Sequence, residues 1–125
     1  YGCYKHSVPV SFSSSRFCLI DRGIIFAIAH VRGGGELGEK WYVEGKMMNK
    51  KNTFKDYIAC AEHLIDKKYT YRGGLAFYGG SAGGTTGGAV INLAPNLFFA
   101  ASDNSSIGVP SSSNEISFHI SGNIR

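Results

Sequence analysis

A single serine among very small residues is the feature of this sequence best suited to chemistry. Residues 79–83 read Gly-Gly-Ser-Ala-Gly, which matches the G-x-S-x-G pattern of a nucleophile elbow centred on Ser81. In such an elbow the serine lies on a strained turn between a strand and a helix, with its hydroxyl exposed. The pattern predicts that Ser81 is a nucleophile in acyl transfer and that the backbone N–H of Ala82 is an oxyanion donor.

The residues that flank Ser81 have the small size that an elbow requires. Positions two before and two after the serine must be small, because the backbones of strand and helix approach each other there. The elbow glycines are Gly79, Gly80, Gly83 and Gly84. Gly87 and Gly88 extend the set into the next segment, where each costs about 1 kcal/mol relative to alanine if the segment is helical. Close packing is one explanation for these two, and a flexible turn is the other.

The segments around this motif have the periods of alternating strands and helices. Residues 24–31 (IIFAIAHV) are a continuous apolar run, typical of a strand buried on both faces. Residues 53–67 change to a helical period, residues 75–78 (LAFY) form a second short apolar strand, and residues 82–94 return to helical spacing before Pro95. The order predicts an α/β fold in which helices flank a parallel sheet.

The helix predicted at residues 53–67 has the clearest pattern in the chain. Thr53 followed by Asp56 resembles a capping box at its start. Its apolar face consists of Phe54, Tyr57, Ile58, Ala61, Leu64 and Ile65.

A second glycine motif offers a different function. Gly33–Gly38 (GGGELG) matches G-x-G-x-x-G after a predicted strand, and Asp56 follows about 20 residues later, as in a dinucleotide-binding fingerprint. Arg32 separates the strand from the glycines, and Asp56 lies in a helix rather than at the end of a strand. A nucleotide-binding domain therefore remains an alternative.

Composition limits the other classes of function. The chain of 125 residues has room for at most one domain, and its net charge of +4 is mild. The lysines of residues 46–55 are predicted to form a solvated face, so no nucleic-acid partner is expected. Cys3, Cys18 and Cys60 fit neither a disulfide framework nor a zinc site, which favours a reduced, cytoplasmic setting. No apolar run suits a membrane helix, no secretory leader is visible, and no metal or cofactor is expected.

The end of the chain has a different composition from the rest. Residues 102–125 are rich in serine and asparagine and show no sustained period. We predict a divergent, poorly ordered tail here, after a partial domain at residues 1–101.

Four stretches, in this order and spacing, resemble the prolyl oligopeptidase family of serine peptidases, and within it the oligopeptidase B branch. They are YGCY at residues 1–4, FSSSRFCLIDRGIIFAIAHVRGGGELGEKWY at 12–42, KKNTFKDYIACAEHLI at 50–65 and GGSAGG at 79–84. The resemblance implies an α/β-hydrolase catalytic domain, paired with an N-terminal β-propeller, that cleaves short peptides through an acyl-enzyme. It also implies that Ser81 is the nucleophile, that the Tyr1 hydroxyl is a second oxyanion donor, and that RGGGE is a structural turn.

The family's triad also needs an aspartate and a histidine, which the resemblance places beyond residue 125. His6 and His63 are predicted to be surface residues, and His30 a hydrogen-bonded structural residue. His119 follows Ser81 too closely, because the fold needs further strands between nucleophile and histidine. The chain alone is therefore predicted to be inactive. The alternatives are a short non-catalytic relative that binds a full-length partner, and a non-peptidase hydrolase such as an esterase.

Overall fold

The computed structural model describes residues 1–103 and 116–121. The α-helices are α1 (Ser14–Ile20), α2 (Glu39–Val43), α3 (Lys51–Asp66) and α4 (Ala82–Leu93), with 3-10 turns at Met47–Asn49 and Pro95–Leu97. The strands are β1 (Ile24–Ile28), β2 (Leu75–Gly79), β3 (Phe98–Asp103) and β4 (Ile116–Ser121). Within residues 1–103 and 116–121, no helix combines the length and apolar character that crossing a bilayer requires.

The strands form one sheet in the order β1-β4-β2-β3. β2 and β3 are parallel, whereas β4 is antiparallel to both of its neighbours, β1 and β2. β1, β2 and β3 therefore run in the same direction, as the strand and helix order predicts. The sheet as a whole is mixed because β4 runs the opposite way.

β4 differs from the prediction of a poorly ordered tail. β3 continues across the predicted boundary between residues 101 and 102, and residues 116–121 pair with two strands. In the sequence EISFHIS, apolar residues alternate with polar ones, which is the period of a strand. The surrounding serines and asparagines hide this short pattern. The other tail residues, 104–115 and 122–125, lie outside the described residues.

The core forms where α3 and α4 meet the side chain of Phe77 on β2. Tyr57 of α3 is fully buried, and its ring contacts Phe77 edge-on at a centroid distance of 5.3 Å. Burial raises the pKa of the Tyr57 hydroxyl well above its ordinary value. Ala61 is also fully buried, and the other four residues of the predicted apolar face pack against the core. The predicted orientation of this helix is confirmed.

Two local predictions are wrong. α3 begins at Lys51, so Thr53 lies inside its first turn rather than at the cap. The Thr53 hydroxyl donates to the Arg32 carbonyl at 2.6 Å and approaches the Gly45 carbonyl at 3.3 Å, and so links the helix to two loops. β1 is half-buried rather than buried on both faces, because it is an edge strand among the described residues.

Gly87 and Gly88 are expected to respond in opposite ways to alanine. A Cβ on Gly87 would lie 2.7 Å from Cζ of the buried Phe77 ring, whereas a Cβ on Gly88 meets nothing within 4 Å. We expect Gly87→Ala to lower the free energy of unfolding by about 1–3 kcal/mol, and Gly88→Ala to raise it by about 0.5–1 kcal/mol. Urea unfolding of the two variants measures both changes in the free energy of unfolding. Equal effects would contradict the packing of Phe77 against α4.

Candidate active site

Ser81 occupies a strained turn between β2 and α4. β2 ends at Gly79 and α4 begins at Ala82, so two residues make the connection. Ser81 has φ 55° and ψ −118°, a backbone conformation that is unfavourable for a residue with a Cβ. Its side chain is exposed. This is the geometry that G-x-S-x-G predicts, and the catalytic role of Ser81 stays a prediction.

The glycines of the turn are needed because two backbones and an aromatic ring meet there. A Cβ on Gly79 would lie 2.8 Å from Cζ of Phe77 and 3.1 Å from the backbone carbon of Gly83. The Gly83 N–H donates to the Gly80 carbonyl at 2.8 Å and closes the turn. The close approach of strand and helix expected from the sequence is therefore present.

Ala82 is the first residue of α4. The N–H groups of a helix's first turn have no acceptor within the helix, and the helix dipole makes this end favourable for negative charge. The Ala82 N–H can therefore serve as a donor to an oxyanion formed beside Ser81, which remains its predicted role.

Tyr1 lies beside Ser81, although 80 positions separate them. The Tyr1 hydroxyl donates to Ser81 Oγ at 3.3 Å, and the tyrosine is only 5% exposed. Its ring meets the ring of His6 edge-on at a centroid distance of 5.5 Å. The structure thus brings together Tyr1, Ser81 and Ala82, the three residues predicted to carry the nucleophile and the oxyanion donors.

The segment that carries Tyr1 is held by the second glycine motif. The Lys5 N–H donates to the Gly33 carbonyl at 3.2 Å, and the Gly35 N–H donates to the His6 carbonyl at 3.0 Å. A Cβ on Gly33 would collide with the carbonyl oxygen of Gly2. These glycines therefore permit two stretches of backbone to pack against each other.

This arrangement does not support the dinucleotide interpretation. The N–H of Gly33 donates to the Trp41 carbonyl at 3.0 Å, and that of Gly34 to the Val31 carbonyl at 3.3 Å. Amides that are already bonded cannot cradle a pyrophosphate, and the helix that follows, α2, has only 5 residues.

Asp56, the acidic residue of the supposed fingerprint, has a structural partner. Its carboxylate accepts from the Arg32 backbone N–H at 2.9 Å, from Nε at 2.8 Å and from Nη2 at 2.6 Å. These hydrogen bonds and the nearby carboxylate charge raise the pKa of Arg32. Asp56 therefore anchors the start of the glycine loop to α3.

No histidine or carboxylate among residues 1–101 hydrogen-bonds Ser81 as a general base would. Among residues 1–101, whose side chains are described, only Tyr1 hydrogen-bonds Ser81 Oγ. His6 and His63 are exposed, as predicted, and His30 Nε2 lies 3.1 Å from the Val8 carbonyl. His119 lies in β4 opposite Ala76, and its side chain is outside the described part. The same part of the chain contains no cluster of His, Cys, Asp and Glu that could hold a metal ion.

Sequence reasoning missed one polar contact close to the site. Lys50 was assigned to a solvated face, yet its ammonium donates to the Gly2 carbonyl at 2.6 Å. Lys50 precedes the buried residues Thr53 and Tyr57 by three and seven positions, so all three share one face of the α3 segment. That spacing was the available signal.

The chain is similar to known proteins in both sequence and fold. Residues 10–112 match the model of the prolyl oligopeptidase family. The chain is 51% identical to Protease 2 of Moraxella lacunata over 78% of its length, and 45% identical to dipeptidyl aminopeptidase BI of Pseudoxanthomonas mexicana over the same share. Against the solved structure of oligopeptidase B from Leishmania major it has a TM-score of 0.79 at 49% identity, over 82% of the chain. The predicted fold class, a partial α/β-hydrolase fold, is thereby confirmed.

The matches cover most of this chain but only a small part of each relative. The chain spans only 14% of the length of Protease 2, of dipeptidyl aminopeptidase BI and of oligopeptidase B. The family match at residues 10–112 includes Ser81 and its strained turn.

Proposed function

Because the chain belongs to the prolyl oligopeptidase family, we propose that it is the nucleophile-bearing segment of a longer serine peptidase acting on short peptides. The observation that carries the proposal is the pairing at the elbow. An exposed serine in a strained conformation receives a hydrogen bond from a tyrosine 80 positions away. The relatives whose names identify them as peptidases support the reaction class.

The proposed reaction is acyl transfer in two steps. Ser81 Oγ attacks the carbonyl carbon of a peptide bond, and the carbonyl oxygen becomes an oxyanion that accepts hydrogen bonds from the Ala82 N–H and the Tyr1 hydroxyl. Collapse of this intermediate breaks the C–N bond, releases the amine and leaves an ester on Ser81. Water then hydrolyses the ester and restores the serine.

The proton transfers require a histidine and an aspartate, and neither hydrogen-bonds Ser81 among residues 1–101. A histidine must take the Ser81 proton and deliver it to the leaving amine, and an aspartate must orient that histidine. We place both in the remainder of a longer, cytoplasmic protein, together with a β-propeller. Without them the Ser81 hydroxyl is a weak nucleophile, so the 125-residue chain alone is expected to be inactive. The proposed chemistry needs no cofactor.

The form of peptide cleavage that we propose is endopeptidase action. One relative is named a dipeptidyl aminopeptidase, so the two forms must be distinguished by substrate. A peptide with a blocked N-terminus is cleaved by an endopeptidase, whereas a dipeptidyl aminopeptidase requires a free one. Paired fluorogenic peptides that differ only in this group separate the two forms.

Labelling of native extract with a fluorophosphonate tests the proposal directly. This probe reacts with a serine only where a base activates it. We expect a label on the tryptic peptide that begins at Gly73 and contains Ser81, in a protein several times heavier than 13.5 kDa. Heat-denatured extract is the control. An unlabelled Ser81 peptide in native extract would contradict the proposed function.

A further inference from the structure

Lys50 differs from its neighbours in the lysine-rich stretch. Its ammonium group donates to the Gly2 carbonyl at 2.6 Å, whereas Lys51 and Lys55 are exposed. Burial lowers the pKa of Lys50, which fits an ammonium partly removed from water. Lys50 also lines a cavity of about 290 Å³ together with Cys3 and Tyr4. The lysine thus reaches from the start of α3 to the residues that follow Tyr1.

The Gly2 carbonyl has little freedom to find another donor. Gly2 is buried with φ +73°, and a Cβ there would lie 2.7 Å from the Thr53 methyl and 2.9 Å from a Val31 methyl. On the other side, Gly33 leaves room for the carbonyl oxygen itself. Packing therefore restricts the Gly2 peptide, and the charged hydrogen bond from Lys50 fixes the direction of its carbonyl.

Gly2 directly follows Tyr1, so a fixed Gly2 carbonyl, which is part of the Gly2–Cys3 peptide, restricts the backbone one residue from the tyrosine. We propose that Lys50 is a positioning residue for the oxyanion site, holding the Gly2 carbonyl and through it the Tyr1 hydroxyl beside Ser81. This inference rests on the proposed function. Lys50 contacts neither substrate nor nucleophile in this role, and it acts only through Tyr1.

The kinetic test uses Lys50→Met in the full-length peptidase. Methionine keeps an unbranched side chain but removes the donor. We expect kcat to fall about tenfold to a hundredfold with KM within about twofold, because a displaced oxyanion donor affects the transition state and not the bound substrate. Lys51→Met, an exposed neighbour at the start of the same helix, is the matched control and is expected to keep kcat.

A double-mutant cycle with Tyr1→Phe separates positioning from a general structural effect. If Lys50 acts through the Tyr1 hydroxyl, Lys50→Met changes kcat less than about twofold in the Tyr1→Phe background. An equal loss in both backgrounds would overturn the proposal, as would an unchanged kcat in Lys50→Met alone. If Lys50→Met does not fold, Lys50→Gln replaces it, because glutamine retains an uncharged donor. We expect Lys50→Gln to lower kcat less than Tyr1→Phe does.

Failure of this inference can be told apart from failure of the proposed function. If Ser81→Ala keeps its activity, Ser81 is not the nucleophile, and kcat no longer reports on Lys50 through the oxyanion site. Amide hydrogen exchange of residues 1–6 then tests whether Lys50 anchors this segment. Faster exchange in Lys50→Met but not in Lys51→Met supports the anchoring contact, and equal exchange in both variants overturns it.

Discussion

Replacing Ser81 by alanine is expected to abolish peptide hydrolysis by the proposed full-length peptidase, with kcat falling about 10⁶-fold. The proposed acyl-enzyme forms on the Ser81 hydroxyl, which the substitution removes. Ser81 alone among the described residues combines exposure, a strained elbow conformation and the hydrogen bond from Tyr1. Alanine removes only the hydroxyl, so the fold is expected to persist. Steady-state hydrolysis of a fluorogenic peptide measures the loss, and circular dichroism verifies the fold.

The control for this prediction is Thr85→Ala. Thr85 is exposed on the first turn of α4, and its backbone N–H donates to the Ser81 carbonyl at 3.3 Å, a bond that alanine retains. Loss of its side-chain hydroxyl is expected to leave kcat unchanged. Peptidase activity that survives in purified Ser81→Ala would show that the nucleophile lies elsewhere.

Replacing Tyr1 by phenylalanine is expected to lower kcat about 10²-fold to 10³-fold and to leave KM nearly unchanged. The substitution removes the proposed oxyanion donor and keeps the ring that packs against His6. The oxyanion forms only after attack, so the missing hydrogen bond raises the energy of the transition state and not of the bound substrate. Initial-rate kinetics over a range of substrate concentrations separate kcat from KM.

Tyr4→Phe is the matched control for the second prediction. Tyr4 lies three residues away and is 70% exposed. Removing its hydroxyl is expected to change kcat less than about twofold. If Tyr1→Phe also stayed within this range, the Tyr1 hydroxyl would have no role in the oxyanion site, and the 3.3 Å contact with Ser81 would be structural only.

The elements nearest the serine were predictable because their signals are local. β2 and α4 begin and end within about one residue of the predicted segments 75–78 and 82–94. Apolar spacing depends only on neighbouring residues, and the small residues of the elbow identify the turn between them. The helical spacing of apolar residues likewise predicted which face of α3 packs against the core.

The roles of Thr53 and of the GGGELG motif depend on contacts between distant residues, which produce no periodic pattern in the sequence. Thr53 resembles a helix cap, but its hydroxyl bonds two loop carbonyls because α3 begins earlier and faces those loops. The GGGELG motif resembles a phosphate loop, but its amides bond carbonyls of the chain itself. In both cases a local pattern fits two structures, and packing selects between them.

The sequence by itself determined the elbow, the strand and helix around it, and the helical face that covers the sheet, because these follow from residue size and spacing over a few positions. Tyr1 was assigned only through family resemblance, and Lys50 was misassigned to solvent. Their places beside Ser81 and Gly2 were decided by the tertiary structure alone. The physical reason is separation: contacts across 80 and 48 positions arise when the sheet, α3 and the glycine loop pack together.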